Sequence, residues 1–267
     1  MLHHKIYPNK ESDQWVVFIH GAGGSSRVWF RQIQSYVKHF NLVLIDLHGH
    51  GKSHPQSKEK KITYSFEHIA LDIVKVLDHN QIKRAHFVGV SMGTIIVRKL
   101  AEIKKQYVQS MILVGAITRL NFKFRFLVRI GRTFHRVIPF MWLYKVFAFI
   151  IMPLAQHHES RNVFINEARK LARHEFIRWF HLTRRLTAKL SRMEEQDPEI
   201  PTLYVMGDQD YILLEPVKEL VKRYKSRSLL VIEKCGHVVN IEKANLFNEL
   251  SIGFLKNFQG KQVSASA

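Results

Sequence analysis

The 267-residue chain has a single cysteine, Cys235, so neither an internal disulfide nor a multi-cysteine zinc site is available to it. It is also poor in acid: 22 Asp and Glu stand against 41 Lys and Arg, a formal charge of +19. That excess speaks of surface and partners, not of fold. No basic region followed by an apolar stretch and a small-residue cleavage site opens the chain, which makes a cytoplasmic location the expectation. Long apolar runs are missing except over 137–155. Lys145, Pro139 and Pro153 interrupt that run, which favours burial or a peripheral membrane-surface role over spanning. No internal repeat or low-complexity tract occurs, and no RNA- or DNA-reading motif accompanies the charge, so nucleic acid is not an expected partner.

What the chain has is enough apolar residue, 46%, for a large core. Its first half alternates short β-rich runs with helical patterns. Trp15–Ile19 reads as a strand, followed by the turn His20-Gly21-Ala22-Gly23-Gly24-Ser25 and a helix over 27–38. A strand over 41–46 ends in the loop His48-Gly49-His50-Gly51-Lys52-Ser53. The helix expected over 66–79 lines up Phe66, Ile69, Ala70, Ile73 and Leu77. A strand over 85–90 leads into a helix over 91–103, and 110–114 is a further strand. The grammar returns with strands over 201–206 and 228–232, helices over 215–224 and 243–258, and a frayed tail from 260. Continuously apolar strands separated by helices predict an α/β fold, a mostly parallel sheet covered on both faces.

Between these halves the sheet pattern stops. Residues 119–192 carry 16 Lys or Arg against 3 Glu, much of the charge excess, and read as helices. The expected organisation is a core of 1–118 and 198–267 with a basic helical cap over 119–197.

Gly89-Val90-Ser91-Met92-Gly93 falls where a strand gives way to a helix. Flanking glycines allow a tight turn that exposes the Ser91 hydroxyl, and the Met92 N–H is placed to stabilise an oxyanion. A serine nucleophile needs a histidine base and an orienting carboxylate. Asp210 follows the strand 201–206 and His237 follows the strand 228–232, on the same sheet edge as Ser91 and in the order Ser, Asp, His. Asp208 is expected to be structural, and Gly115-Ala116-Ile117 offers no competing acid. The Ala22 N–H supplies a second oxyanion donor, with His20 serving the loop. A phosphate-binding reading of this glycine turn fails for want of a Walker lysine and of dinucleotide spacing. Most of the other histidines are expected in the N-terminal segment, the insertion or surface loops.

These residues resemble the α/β-hydrolase superfamily, in particular its cap-bearing serine carboxylesterase and lipase-like branch. The resemblance covers 13–118 and 198–258, and the cap matches only in placement and helical character. It implies nucleophile Ser91, acid Asp210, base His237, oxyanion donors Ala22 and Met92, a structural loop over 46–53, and neither metal nor organic cofactor. Two departures stand out. Only Leu2–Tyr7 is available for the usual leading hairpin, so fewer than eight strands are expected, and Ile241-Glu242-Lys243-Ala244 lacks the proline common after the acid that follows the histidine. Haloalkane dehalogenases and epoxide hydrolases of this fold carry aspartate at the elbow, where this chain has Ser91.

The implied activity is hydrolysis of carboxylic esters with small to medium or monoacyl-lipid-like acyl groups. Hydrolysis of an acyl thioester, a lactone or a C–C bond, and a non-catalytic receptor or scaffold role, remain as alternatives. Phe124, Phe126, Leu127, Phe134, Val137 and the apolar residues from Phe140 to Met152 are expected to pack the cap onto the sheet or to line an acyl pocket. Basic residues Arg119, Lys123, Arg125, Arg129, Arg132 and Arg136 suit an anionic membrane surface or an acidic acyl carrier, or form a solvated face. Oligomeric state is not legible.

Overall fold

A computed structural model describes residues 1–53, 64–119, 138–182, 186–195 and 199–257, without the side chains of Thr187 and Lys189. Seven strands form one sheet: β1 (His4–Tyr7), β2 (Trp15–Ile19), β3 (Asn41–Ile45), β4 (Ala85–Val90), β5 (Val108–Val114), β6 (Thr202–Gly207) and β7 (Arg227–Ile232). Their spatial order is β1-β3-β2-β4-β5-β6-β7. Only β1 runs antiparallel, pairing His4 with Ile45 through Tyr7 with Leu42 at one edge.

Alternation along each strand divides the core in two. Val17, Ile19, Val43, Ile45, Phe87 and Leu113 face one side. Val16, Phe18, Leu42, Leu44, Val88 and Ile112 face the other. Because side chains alternate with period two, a strand apolar at every position must be covered on both faces. Helices α1 (Phe30–Tyr36), α2 (Phe66–His79), α3 (Met92–Ile103), α8 (Leu214–Val221), α9 (Val239–Glu242) and α10 (Ala244–Lys256) supply the cover, and further helices are inserted between β5 and β6. The α2 span matches the sequence expectation, and its start is set by Ser65, whose hydroxyl accepts the His68 N–H at 3.0 Å. The helix expected over 27–38 is instead a short 3-10 turn, Ser26–Trp29, followed by α1, because Trp29 departs from helical geometry at φ −100°, ψ 6°.

The inserted helices are α4 (Phe140–Ile151), α5 (His158–Ala168), α6 (Arg173–Leu182) and α7 (Leu186–Glu195). They are stitched to the loops at the carboxyl ends of the strands. The Trp179 indole N–H donates to the His48 carbonyl at 2.8 Å, and the buried Glu175 carboxylate accepts the Tyr64 hydroxyl at 2.5 Å and the Arg178 guanidinium at 2.6 Å. Ser25 donates to Glu167 of α5 at 2.6 Å. Phe124, Phe126, Leu127, Phe134, Val137, Lys123, Arg125, Arg129, Arg132, Arg136 and the tail from 260 lie outside the described residues. Among the described residues no helix is long and apolar enough to cross a membrane.

Candidate active site

Parallel strands end on one side of the sheet, so the loops after β2, β4, β6 and β7 converge there. Ser91 sits between β4 and α3 with φ 54° and ψ −121°, a conformation uncommon for a side-chain-bearing residue. Its neighbours enforce it. The Ser91 N–H donates to Val114 at 2.9 Å, and its carbonyl accepts both the Thr94 N–H at 2.9 Å and the Thr94 hydroxyl at 2.6 Å. A Cβ on Gly93 would lie 2.4 Å from the Ile19 carbonyl oxygen, so only glycine lets α3 approach β2 this closely. Met92 opens α3, where backbone N–H groups lack intrahelical acceptors.

The Ala22 N–H belongs to the Gly21–Ala22 peptide. That peptide's carbonyl accepts the His20 Nδ1–H at 2.8 Å and the Gly24 N–H at 3.1 Å. C=O and N–H point oppositely in a trans peptide, so these bonds turn the Ala22 N–H the other way. Gly21 lies against the nucleophile: a Cβ there would be 3.0 Å from Ser91 Cβ. His20 Nε2 accepts the Leu47 N–H at 3.0 Å, which assigns the proton to Nδ1.

His50 repeats the arrangement. Its Nδ1–H donates to His48 at 3.0 Å and its Nε2 accepts the Gly23 N–H at 2.9 Å, with the His20 and His50 imidazoles 5.0 Å apart. Burial holds His20 below the usual imidazole range, and burial together with the neighbouring His20 pushes His50 down to about 3. Both are therefore neutral scaffolding at physiological pH. Asp46 accepts the backbone N–H groups of Ser26 and Lys52 at 2.7 and 2.9 Å; burial raises its carboxyl, but these bonds outweigh that and hold it below the ordinary value.

Asp210 and His237, 27 residues apart in sequence, meet with Oδ2 and Nδ1 at 2.7 Å, both buried. The other Asp210 oxygen accepts the Leu213 N–H at 3.2 Å. Asp208 is structural, accepting the Cys235 N–H at 3.1 Å. The Cys235 thiol is buried, and its pKa is raised by burial first and by Glu242 second, which makes it a poor nucleophile.

Two contributors, Gly115 and Tyr144, carried no clear signal in the sequence, and a third, Glu242, was visible there only as the acid that follows His237. Gly115, at φ +52°, lies against the His237 ring, where a Cβ would come within 2.9 Å of Nδ1. Its only sequence signal is the absence of an acid at that position. Glu242 accepts the Gly236 N–H at 2.8 Å and the Ser160 hydroxyl at 2.7 Å, tying the histidine loop to α5. Tyr144 of α4 donates to the Ala22 carbonyl at 2.7 Å, and nothing in its aromatic run distinguishes it. Three further histidines, His50, His86 and His157, are buried, each held by hydrogen bonds within the packed structure.

Ser91 and His237 line one cavity of about 30 Å³ together with Gly21, Ala22, Phe164 and Ile241. A larger, polar basin of about 240 Å³ touches neither Ser91 nor His237. The smaller cavity is the one beside the reactive groups. Among the described residues no group of three or more His, Cys, Asp or Glu is arranged to hold a metal ion.

A family model for the α/β-hydrolase fold matches residues 14–135. RutD of Stutzerimonas stutzeri (strain A1501), provisionally named a carbamate hydrolase, is 23% identical over 99% of this chain and 100% of its own length. Among solved structures, Est816, described as an N-acyl homoserine lactone degrading enzyme, aligns over 95% of this chain and 96% of its own with TM-score 0.76 and 22% identity. A hydrolase from Oleispira antarctica, olei00960, aligns over 95% of this chain and 94% of its own with TM-score 0.81 and 17% identity. With its seven-stranded, mostly parallel sheet and these matches, the chain has the α/β-hydrolase fold.

Proposed function

We propose that this protein is a serine-dependent hydrolase of carboxylic esters. The observation that carries the proposal is one constellation: Ser91, strained at a strand-to-helix turn, shares a cavity with His237, whose Nδ1 is 2.7 Å from buried Asp210. In this reading Ser91 Oγ attacks the ester carbonyl carbon as its proton passes to His237 Nε2. The imidazolium keeps its Nδ1–H on Asp210, which holds tautomer and orientation. The negative charge that develops on the carbonyl oxygen is met by the Ala22 and Met92 N–H groups. Collapse expels the alcohol, protonated from Nε2, and leaves an acyl-serine. Water, giving its proton to His237, then attacks the acyl carbon, and the bond to Ser91 Oγ breaks as His237 returns a proton to that oxygen, releasing the acid. Every step uses groups of the chain, and Val163, Phe164, Val238 and Ile241 give the cavity beside Ser91 an apolar lining suited to an acyl group.

A second reading is supported by the relatives: a carbamate, as in the name of RutD, or a lactone, as in the description of Est816, presents the same carbonyl to the same groups. Initial rates on p-nitrophenyl esters from acetate to palmitate, for wild type and Ser91→Ala, test the first reading. Turnover that vanishes in Ser91→Ala is expected, and the chain-length optimum sizes the acyl site. Turnover retained in Ser91→Ala removes the serine mechanism. Inactivity on all esters, with ammonia release from carbamate or ring opening of lactones, moves the assignment to the second reading.

A further inference from the structure

The helix α4, Phe140–Ile151, is apolar all round, with Lys145 its only charged residue. A helix of that kind is ordinarily buried on every side. Here Tyr144, Ala148 and Ile151 are buried toward the protein, while the opposite face carries Trp142 at 64% exposure, Val146 at 48%, Phe149 at 53% and Ile150 at 39%. Positions at spacings of 0, 4, 7 and 8 share one helical face, so these four side chains form a single stripe. A cation borders it: Lys145 lies 5.8 Å from the Trp142 ring centroid, while Arg161, 4.3 Å from that of Phe149, is itself buried and donates to the Met152 and Leu154 carbonyls.

We propose that this face of α4 docks on an anionic lipid surface. Charge decides between occupants. The chain carries +19, and its residues 119–192 carry 16 cationic against 3 acidic side chains. A second copy would bring the same charge to the contact and be repelled. An acidic carrier protein would meet the charge but leave the apolar stripe without an apolar partner. A bilayer with anionic headgroups satisfies both, taking the aromatic stripe at the headgroup boundary and attracting Lys145 beside it and the net positive charge of the chain. Apolar insertion and basic attraction are the two signals that together give stable peripheral attachment.

The test is co-sedimentation of the full chain with vesicles of phosphatidylcholine alone and with about 30% phosphatidylglycerol. Binding is expected only to the anionic vesicles and should be lost as salt rises from about 0.05 to 0.5 M. Trp142→Ser/Phe149→Ser, at two exposed positions, is expected to weaken binding about tenfold or more while activity on a soluble ester stays at the wild-type level. Of the four tryptophans only Trp142 is highly exposed, so brominated lipid should quench wild-type fluorescence and leave Trp142→Phe unaffected. Failure to bind anionic vesicles, or binding unchanged in the double variant, overturns the proposal. A dimer in sedimentation equilibrium that dissociates in the double variant would assign the stripe to a second copy instead.

Discussion

The Tyr144 hydroxyl reaches out of α4 to the Ala22 carbonyl oxygen at 2.7 Å, 122 residues away in sequence. The same Ala22–Gly23 peptide gives its N–H to His50 Nε2 at 2.9 Å, so both of its ends are held, one by an inserted helix and one by a core loop. Gly23, at φ +70°, makes room: a Cβ there would lie 2.5 Å from the Tyr144 oxygen. The preceding peptide, which carries the proposed oxyanion donor, is fixed by His20 and Gly24. The two consecutive peptides are thus locked from independent directions.

Removing the hydroxyl in Tyr144→Phe frees one end of this clamp and leaves a carbonyl without its donor. Loss of a direct oxyanion donor costs about 10²- to 10³-fold in kcat, so an indirect loosening should cost about tenfold. KM should stay near the wild-type value. Steady-state kinetics on a short ester separates this from a purely structural role, which would lower the active fraction without changing the kcat to KM pattern of the remaining enzyme.

Asp210→Asn keeps the shape of the acid but favours the wrong histidine tautomer. With the geometry intact, kcat is expected to fall by about 10⁴-fold. Combining it with Ser91→Ala should add little to the loss from Ser91→Ala alone, because residues acting as one unit are not additive. A rate of acyl-enzyme formation that is unchanged in Asp210→Asn, followed by stopped flow, would remove Asp210 from the proposed mechanism.

Two glycine-to-alanine exchanges should have opposite signs. At Gly93 the new Cβ would meet backbone oxygens of Ile19 and His20 at 2.4 and 2.7 Å, which cannot yield without parting α3 from β2. The expected loss is about 1–3 kcal/mol or more, with activity lost alongside. At Gly253, in α10, nothing lies within 4 Å, so alanine should stabilise by about 0.5–1 kcal/mol through helix propensity. Chemical denaturation of both variants reads the pair.

His86, fully buried in β4, hydrogen-bonds Ser110 at 2.7 Å, and burial with the nearby Arg84 pushes its pKa down to about 4. Unfolded, it titrates at about 6.5. Between those values the unfolded chain binds the extra proton, so stability is full above about pH 6.5 and is lost as pH falls toward 4. His86→Gln should flatten the wild-type slope in that window by up to about 1.4 kcal/mol per pH unit. Urea midpoints from pH 7 to 4.5 measure it, and an unchanged slope would contradict a neutral His86 in the folded state.

The sequence by itself determined the strands and their burial on both faces, because an apolar run such as Leu42–Ile45 in β3 or Phe87-Val88 in β4 carries its own local signal. It determined the placement of Ser91, Asp210 and His237 on one edge as well, since parallel strands all end on the same side and each residue lies in the loop after its strand. Spacing could not reveal the distances. The His237–Asp210 contact, the Gly115 backbone against the imidazole and the Tyr144 clamp join segments from 27 to 122 residues apart, and the cavity gathers residues from Gly21 to Ile241. Which aromatic of the run from Phe140 to Ile151 turns inward to Ala22, and which turns outward as Trp142 does, was decided only when α4 packed across the strand ends. Apolar residues on every side leave a helix no preferred face, so tertiary contacts alone select one.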